Sequence, residues 1–124
     1  MKFSDPKIVA LLFNKQINNQ DLNRLTNLMT KDHTFIDSEG DVDRGREEMK
    51  RGWREFFKRF PDYENIFYRV ESRGNLVIML GHSECSYKPL HGPAIWTAKI
   101  KDDLVSEWRV YSDNEENRKK LCIL

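Results

Sequence analysis

The chain is short of cysteine, of charge imbalance and of long apolar runs. Only Cys85 and Cys122 occur among its 124 residues. They lie far apart and outside any metal or redox spacing, so both read as reduced thiols. Cys122 stands third from the last residue, not fourth, so no prenylation box is expected. Lys and Arg number 21 against 20 acidic residues, a net charge of +1, which argues against a dedicated nucleic-acid or polyanion binder. No apolar run approaches the roughly 20 residues that cross a bilayer. Met1-Lys2-Phe3-Ser4-Asp5-Pro6 carries no cleavage pattern, so neither a signal peptide nor a membrane partner is expected, and a cytoplasmic location follows. Repeats, low-complexity segments and linkers are also missing, which predicts a single domain over residues 1–124. There is no Gly-rich phosphate loop, nucleophile elbow or Cys–His pairing, and three scattered histidines show no metal-ligand spacing. Neither a metal nor a cofactor is therefore expected.

What the sequence does hold is a change of hydrophobic period. Ser4 or Asp5 can cap a helix with Pro6 in its first turn, and Ile8, Leu11, Leu12 and the stem of Lys15 share one face. Asp21 reads as the N-cap of a second helix, with Leu22, Leu25, Leu28 and Met29 at helical spacing. A strand-like piece, His33–Gly40, then ends with Asp37 at the lip of a turn. Residues 41–45 read as a loop or short edge strand. From Arg46, Met49, Trp53, Phe56, Phe57 and Phe60 fall at i, i+4, i+7, i+8 and i+11, until Pro61 stops the helix. Beyond it the pattern is β: Glu64–Ser72, a turn at Gly74, Leu76–Tyr87, Ala94–Lys101, a hairpin at Asp102-Asp103, and Leu104–Ser112. Residues 114–120 are expected to add a helical turn. Helices first and antiparallel strands after make an α+β chain, with a curved sheet closing over the aromatic face of the third helix.

The order of pieces, and the segments "LNRLTNLMTKDHTFIDSEG", "RGREEMKRGWREFFKRFPDY" and "LVSEWRVYSD", resemble the SnoaL-like proteins. These belong to the superfamily of nuclear transport factor 2 and the ketosteroid isomerases. The resemblance implies a cone-shaped fold in which N-terminal helices and a long third helix pack on a curved, mostly antiparallel sheet around one apolar pocket. It also implies a homodimer through the outer sheet face. In the isomerases a motif of the form Asp-Ala-Thr-Val-Glu-Asp ends in the catalytic base, and Asp32-His33-Thr34-Phe35-Ile36-Asp37 matches it without a gap. Asp37 thus falls on the base. The isomerase's oxyanion tyrosine falls on Phe13 and its oxyanion aspartate near Trp96. That pair of donors is absent, only the Trp96 N–H remains, and steroid isomerisation is not expected.

Candidate site residues follow. Asp37 is the catalytic candidate, a carboxylate at the mouth of an apolar cavity; the plainer reading is an Asp that bonds its own turn. His33 lies about 13 Å from Asp37 along an extended strand, too far for a dyad; a structural hydrogen bond is its main reading and pocket lining its second. Trp53, with Phe57 beside it, is drawn from a face that is otherwise core, and its indole N–H needs a partner when buried. Strand alternation sends Trp96, Ala98 and Ile100, with Trp108 and Val110, to the concave side, and Thr97, Lys99, Glu107, Arg109 and Tyr111 to the outer side. His82 is either a second polar group in the pocket or the outer-face partner of Glu84. The expected ligand-binding set is Trp53, Trp96, Trp108, Phe13, Phe57, His33 and His82. The expected function is binding of a small, largely apolar organic molecule, with isomerase-, cyclase- or hydrolase-type acid–base chemistry by Asp37. The alternatives are a non-catalytic ligand-binding dimer and a protein-interaction module. A cone packed solid would favour the last.

Overall fold

The structure, a computed structural model, describes residues 4–123; the readings made on Met1, Lys2 and Phe3 lie outside the described residues. Four α-helices accompany one six-stranded sheet. Helix α1 (Pro6–Asn19) starts where Asp5 accepts the Lys7 N–H at 2.9 Å and ends where Gln20 turns left-handed at φ 54°. Its buried face is not the expected one. Ile8, Leu11 and Leu12 are 59%, 42% and 43% exposed, whereas Val9, Ala10, Phe13 and Ile17 are buried. The helix carries two apolar stripes, and the one with Phe13 faces the sheet because Phe13 packs on Trp108 and its flank, Asn14 and Asn18, bonds Asn65.

Helix α2 (Leu22–Asn27) is capped by Asp21, which accepts the Arg24 N–H at 3.1 Å. It stops before Met29, which opens β1 (Met29–Ile36) and does not belong to the helix. Strand β1 pairs antiparallel with β2 (Val42–Arg44) and parallel with β6 (Leu104–Ser112). Helix α3 (Arg46–Arg59) places Glu47 and Glu48 in its first turn and Lys58 and Arg59 in its last, each sign suited to the helix dipole there. Strands β3 (Glu64–Arg73), β4 (Leu76–Glu84), β5 (Gly92–Lys101) and β6 form an antiparallel meander, and the sheet order is β2-β1-β6-β5-β4-β3.

Two features bend this sheet. Between Phe67 and Arg69 the β3–β4 register slips by one, so Tyr68 is a bulge. Opposite it, Gly81 lets the backbones close up: a Cβ there would sit 1.9 Å from the Ile66 carbonyl oxygen. The concave face carries Val77, Met79, Trp96, Ala98, Val105 and Trp108 against α1 and α3. The outer face is not bare. Ile78, Leu80 and Ile95 are covered by Leu121 and Ile123, which follow α4 (Glu115–Lys120). Arg73 ties that segment down by donating to the carbonyls of Leu121 and, at 2.8 Å, Cys122. Arg118 adds a forked pair to Asp113 at 2.6 and 2.9 Å. No helix among the described residues is long and apolar enough to cross a membrane.

Candidate functional site

A cavity of about 540 Å³ opens between α3 and the concave face of the sheet. Met49, Trp53 and Phe56 of α3 line one wall, because a 3.6-residue period puts them on the helix face that meets the sheet. Ala94, Trp96, Trp108 and Val110 line the other, as inward residues of neighbouring strands. Phe35 closes the side near β1 and meets Trp53 edge-on at 6.1 Å. Tyr63 and Ser83 lie at the β3–β4 end. The rim is polar: Asp37, Ser38 and Asp43 on one side, His91 and the Pro89–Pro93 loop on the other.

Asp37 lines this cavity, with its geometry set by the turn. Its Oδ1 accepts the N–H groups of Glu39 at 2.9 Å and Asp41 at 3.0 Å. Its backbone closes the turn through Asp37 N–H to Asp41 O and Gly40 N–H to Asp37 O, both 3.0 Å. Gly40, at φ 88°, takes the left-handed conformation this turn requires. The carboxylate is therefore oriented as an acceptor, with Oδ2 the oxygen not used by the turn.

Trp53, Trp96 and Trp108 also line the cavity, and Phe13, Phe57, His33 and His82 do not. Phe13 is fully buried behind Trp108, ring centroids 4.7 Å apart, and the wall it backs is the indole. Phe57 packs under Trp53 at 5.5 Å, one helical position away from the cavity. His33 sits where β1 slips out of register with β6, and its Nδ1 is 2.6 Å from the Val105 carbonyl oxygen. That oxygen can only accept, so Nδ1 carries the proton, and the imidazole stands in for a ladder bond the bulge has removed. Burial pushes the His33 pKa down, against the opposing Val105 bond and the Asp32 charge. His82 points to the outer face, 3.3 Å from Glu84 Oε1.

The sequence reading gave no site role to Asn65, which stands behind the cavity wall, nor to Ser83, Tyr63 and His91, which line it. Asn65 donates to Asn14 Oδ1 at 3.1 Å and accepts the Ser83 hydroxyl at 2.8 Å; Ser83 in turn lies 3.2 Å from the Tyr63 hydroxyl. Burial raises the Tyr63 pKa, which keeps the phenol protonated at neutral pH. The fourth is His91, whose Nδ1 accepts the Cys85 N–H at 3.3 Å, so the neutral ring carries its proton on Nε2. Asp62 holds this loop in place through the Ser86 N–H, 3.0 Å away, and those bonds hold its carboxyl below the usual carboxylate range. Trp96 completes the polar set: its ring is fully buried and its indole Nε1 has no hydrogen-bond partner among the described residues.

Residues 10–112 match the family model of the SnoaL-like domain. Among curated proteins none matches the chain. Solved structures with the same fold include an LEH-like epoxide hydrolase from M. tuberculosis, with TM-score 0.77 and 17% identity over 87% of this chain and 82% of the other. A SnoaL-like polyketide cyclase candidate from Shewanella putrefaciens has TM-score 0.77 and 16% identity, covering 98% and 88%. An uncharacterised cystatin-fold protein from Novosphingobium aromaticivorans has TM-score 0.75 and 22% identity, covering 86% and 97%. At these identities the likeness establishes the fold alone.

Proposed function

The chain belongs to the SnoaL-like domain family, and on that premise we propose that it binds a small, largely apolar organic molecule in the cavity, with Asp37 at the rim as a hydrogen-bond or proton acceptor. The observation that carries this reading is an aromatic-walled space of about 540 Å³ with the Asp37 carboxylate at its rim. Folding left this volume unfilled, and a small apolar ligand would fill it. The structural neighbours named for cyclisation and epoxide hydrolysis indicate the kinds of chemistry such a cavity hosts. In this chain the corresponding step is proton abstraction beside a carbonyl, or activation of a water, by Asp37. Native mass spectrometry of the purified protein should reveal a co-purifying small molecule. Conversion of that molecule, or of a close analogue, should fall at least about a hundredfold in Asp37→Asn, the scale of a lost general base. Full turnover in that variant removes the catalytic role.

A non-catalytic binding protein is the second reading, favoured by the use of Asp37 Oδ1 as a turn cap and by the hydrocarbon ring of Phe13. Under it, Asp37→Asn alters affinity and there is no turnover to lose. The open cavity speaks against a module built only to bind another protein. We propose that a homodimer would form on the outer sheet face around Lys99, Glu107, Arg109 and Tyr111, because the segment after α4 covers Ile78, Leu80 and Ile95. Sedimentation of wild type against Arg109→Glu tests it. The two free thiols support a cytoplasmic location.

A further inference from the structure

The charges around the cavity are one-sided. Its lining holds two carboxylates, Asp37 and Asp43, and no Lys or Arg, in a chain with 21 basic and 20 acidic residues. Strand pairing explains the asymmetry. Asp43 is the β2 partner of Phe35, so the two share the concave face, where Phe35 meets Trp53. Arg44 pairs with Thr34, one position on, and belongs to the opposite face. The Asp43 carboxylate makes no hydrogen bond or ion pair among the described residues. Asp37 spends Oδ1 on its turn and keeps Oδ2 out of it. His91, across the mouth, accepts the Cys85 N–H on Nδ1, and a ring that accepts there carries no charge. The lining thus has two carboxylates and no cation to pair with them. Apolar walls concentrate such a field in the cleft. Those walls are largely π faces, among them Phe35, Trp53 and Phe56, which attract cations in their own right.

We propose that the cavity selects an organic cation: a molecule with an apolar, ring-bearing body and one ammonium group, the body between α3 and the sheet and the ammonium at the rim against Asp43 and Asp37. This rests on the reading that the cavity binds an organic molecule, and names the charge that molecule carries. The cavity makes the site, and the carboxylates decide what enters it. An ammonium brings donors only, which suits two acceptors. Asp43 is exposed and Asp37 half-buried, so the charged head keeps part of its water while the body leaves water behind. An anion of the same shape is repelled, and a neutral molecule leaves Asp43 as unpaired as folding left it.

Three probes of one shape separate this selectivity from binding in general: 2-naphthylmethylamine, a cation at neutral pH, the neutral 2-naphthylmethanol, and the anion 2-naphthoate. Affinities are measured by equilibrium dialysis at low salt. Wild type should prefer the amine to the alcohol by about tenfold, the yield of two rim ion pairs and a cation–π contact, and should bind the anion more weakly than the alcohol. In Asp43→Asn the amine-to-alcohol ratio should fall by about twofold to fivefold, and alcohol binding in that variant reports that it has folded. Glu116→Gln removes the same charge from an exposed position on α4 that does not line the cavity, and should leave the ratio unchanged. Added salt should narrow the wild-type ratio by screening the rim charges. Equal affinity for amine and alcohol, or a preference for the anion, overturns the cation site and leaves the binding reading standing. An unchanged ratio in Asp43→Asn, or an equal fall in Glu116→Gln, likewise overturns it, since the preference would then be owed to the chain's overall field. Failure of all three probes to bind overturns the cation site and the binding reading together.

Discussion

Protonating His33 puts a second N–H, on Nε2, into a site with nothing to receive it. The imidazole is fully buried, with Phe13 stacked beside it at 5.6 Å. Its Nδ1–H already donates to Val105, and Nε2 has no partner among the described residues. Desolvation therefore outweighs the Val105 bond and the Asp32 charge and depresses the pKa below its ordinary 6.5. A depressed folded pKa means that below about pH 6.5 the unfolded chain takes up a proton that the native chain refuses. This contribution is complete at neutral pH and is lost as pH falls. The slope is at most one proton, about 1.4 kcal/mol per pH unit. Asp32, Asp62 and Asp113 are depressed from the ordinary carboxylate value of 3.8, so their stabilisation is lost only at lower pH and leaves pH 5 to 6.5 to histidine. Urea unfolding at intervals from pH 5 to 7.5 should show wild-type stability falling on the acid side. His33→Phe should lose about 1–3 kcal/mol at pH 7.5, because the Val105 carbonyl is left unpaired. Its pH profile should be flatter between 5 and 6.5. Equal slopes in wild type and variant would refute the burial argument, as would a 15N spectrum assigning the proton of His33 to Nε2.

Gly81→Ala should cost about 3 kcal/mol or more in urea unfolding, since its Cβ would overlap the Ile66 carbonyl at 1.9 Å and the obstacle is backbone; an unchanged midpoint would mean the sheet is not pinched there. Asp37→Ala should lose about 1 kcal/mol by leaving the Glu39 and Asp41 N–H groups uncapped, whereas Asp37→Asn keeps an acceptor oxygen and stays within about 0.5 kcal/mol. Equal losses would show that the turn does not depend on that oxygen. Arg73→Ala removes both anchors of the segment after α4, so tryptic cleavage at Lys119 and Lys120 should accelerate while the core amides keep their protection. Unaltered cleavage would assign the hold to Leu121 and Ile123 alone.

The element order was legible because each element carries its own period and its own stop. Trp53, Phe56 and Phe57 recur at helical spacing until Pro61, and Gly74 and Asp102-Asp103 mark the two tight turns. The roll of a helix is another matter. On α1 the stripe Ile8-Leu11-Leu12 is as apolar as the stripe Val9-Phe13-Ile17. Only the tertiary partners of Phe13, Asn14 and Asn18 decide between them. The same holds for α4, short and charged in sequence, whose flanking Leu121 and Ile123 find cover against Ile78 and Leu80 that no local pattern predicts.

The site was half legible for a reason of register. Trp96 and Trp108 lie where alternation holds, from Trp96 to Ala98 and from Trp108 to Val110, with the β5–β6 slip falling beyond them between Lys99 and Ile100, so their inward direction could be read directly. On β3 it could not. Counting back from Val70, strict alternation sends Tyr68, Ile66 and Glu64 inward and Phe67 and Asn65 outward. The bulge at Tyr68 reverses the order beyond it, so Phe67 packs on Trp96 at 5.0 Å and Asn65 faces Asn14 and Ser83. Glycine at 81 was the local sign, because a glycine inside a strand marks a close backbone approach. Once the bulge is placed, Asn65 and Ser83 become register partners on the inner face and Tyr63 falls beside them. The slip that bends the sheet around the cavity is thus also what turns Asn65 inward, and removing it would cost Ser83 its Asn65 partner as well as the cavity its shape.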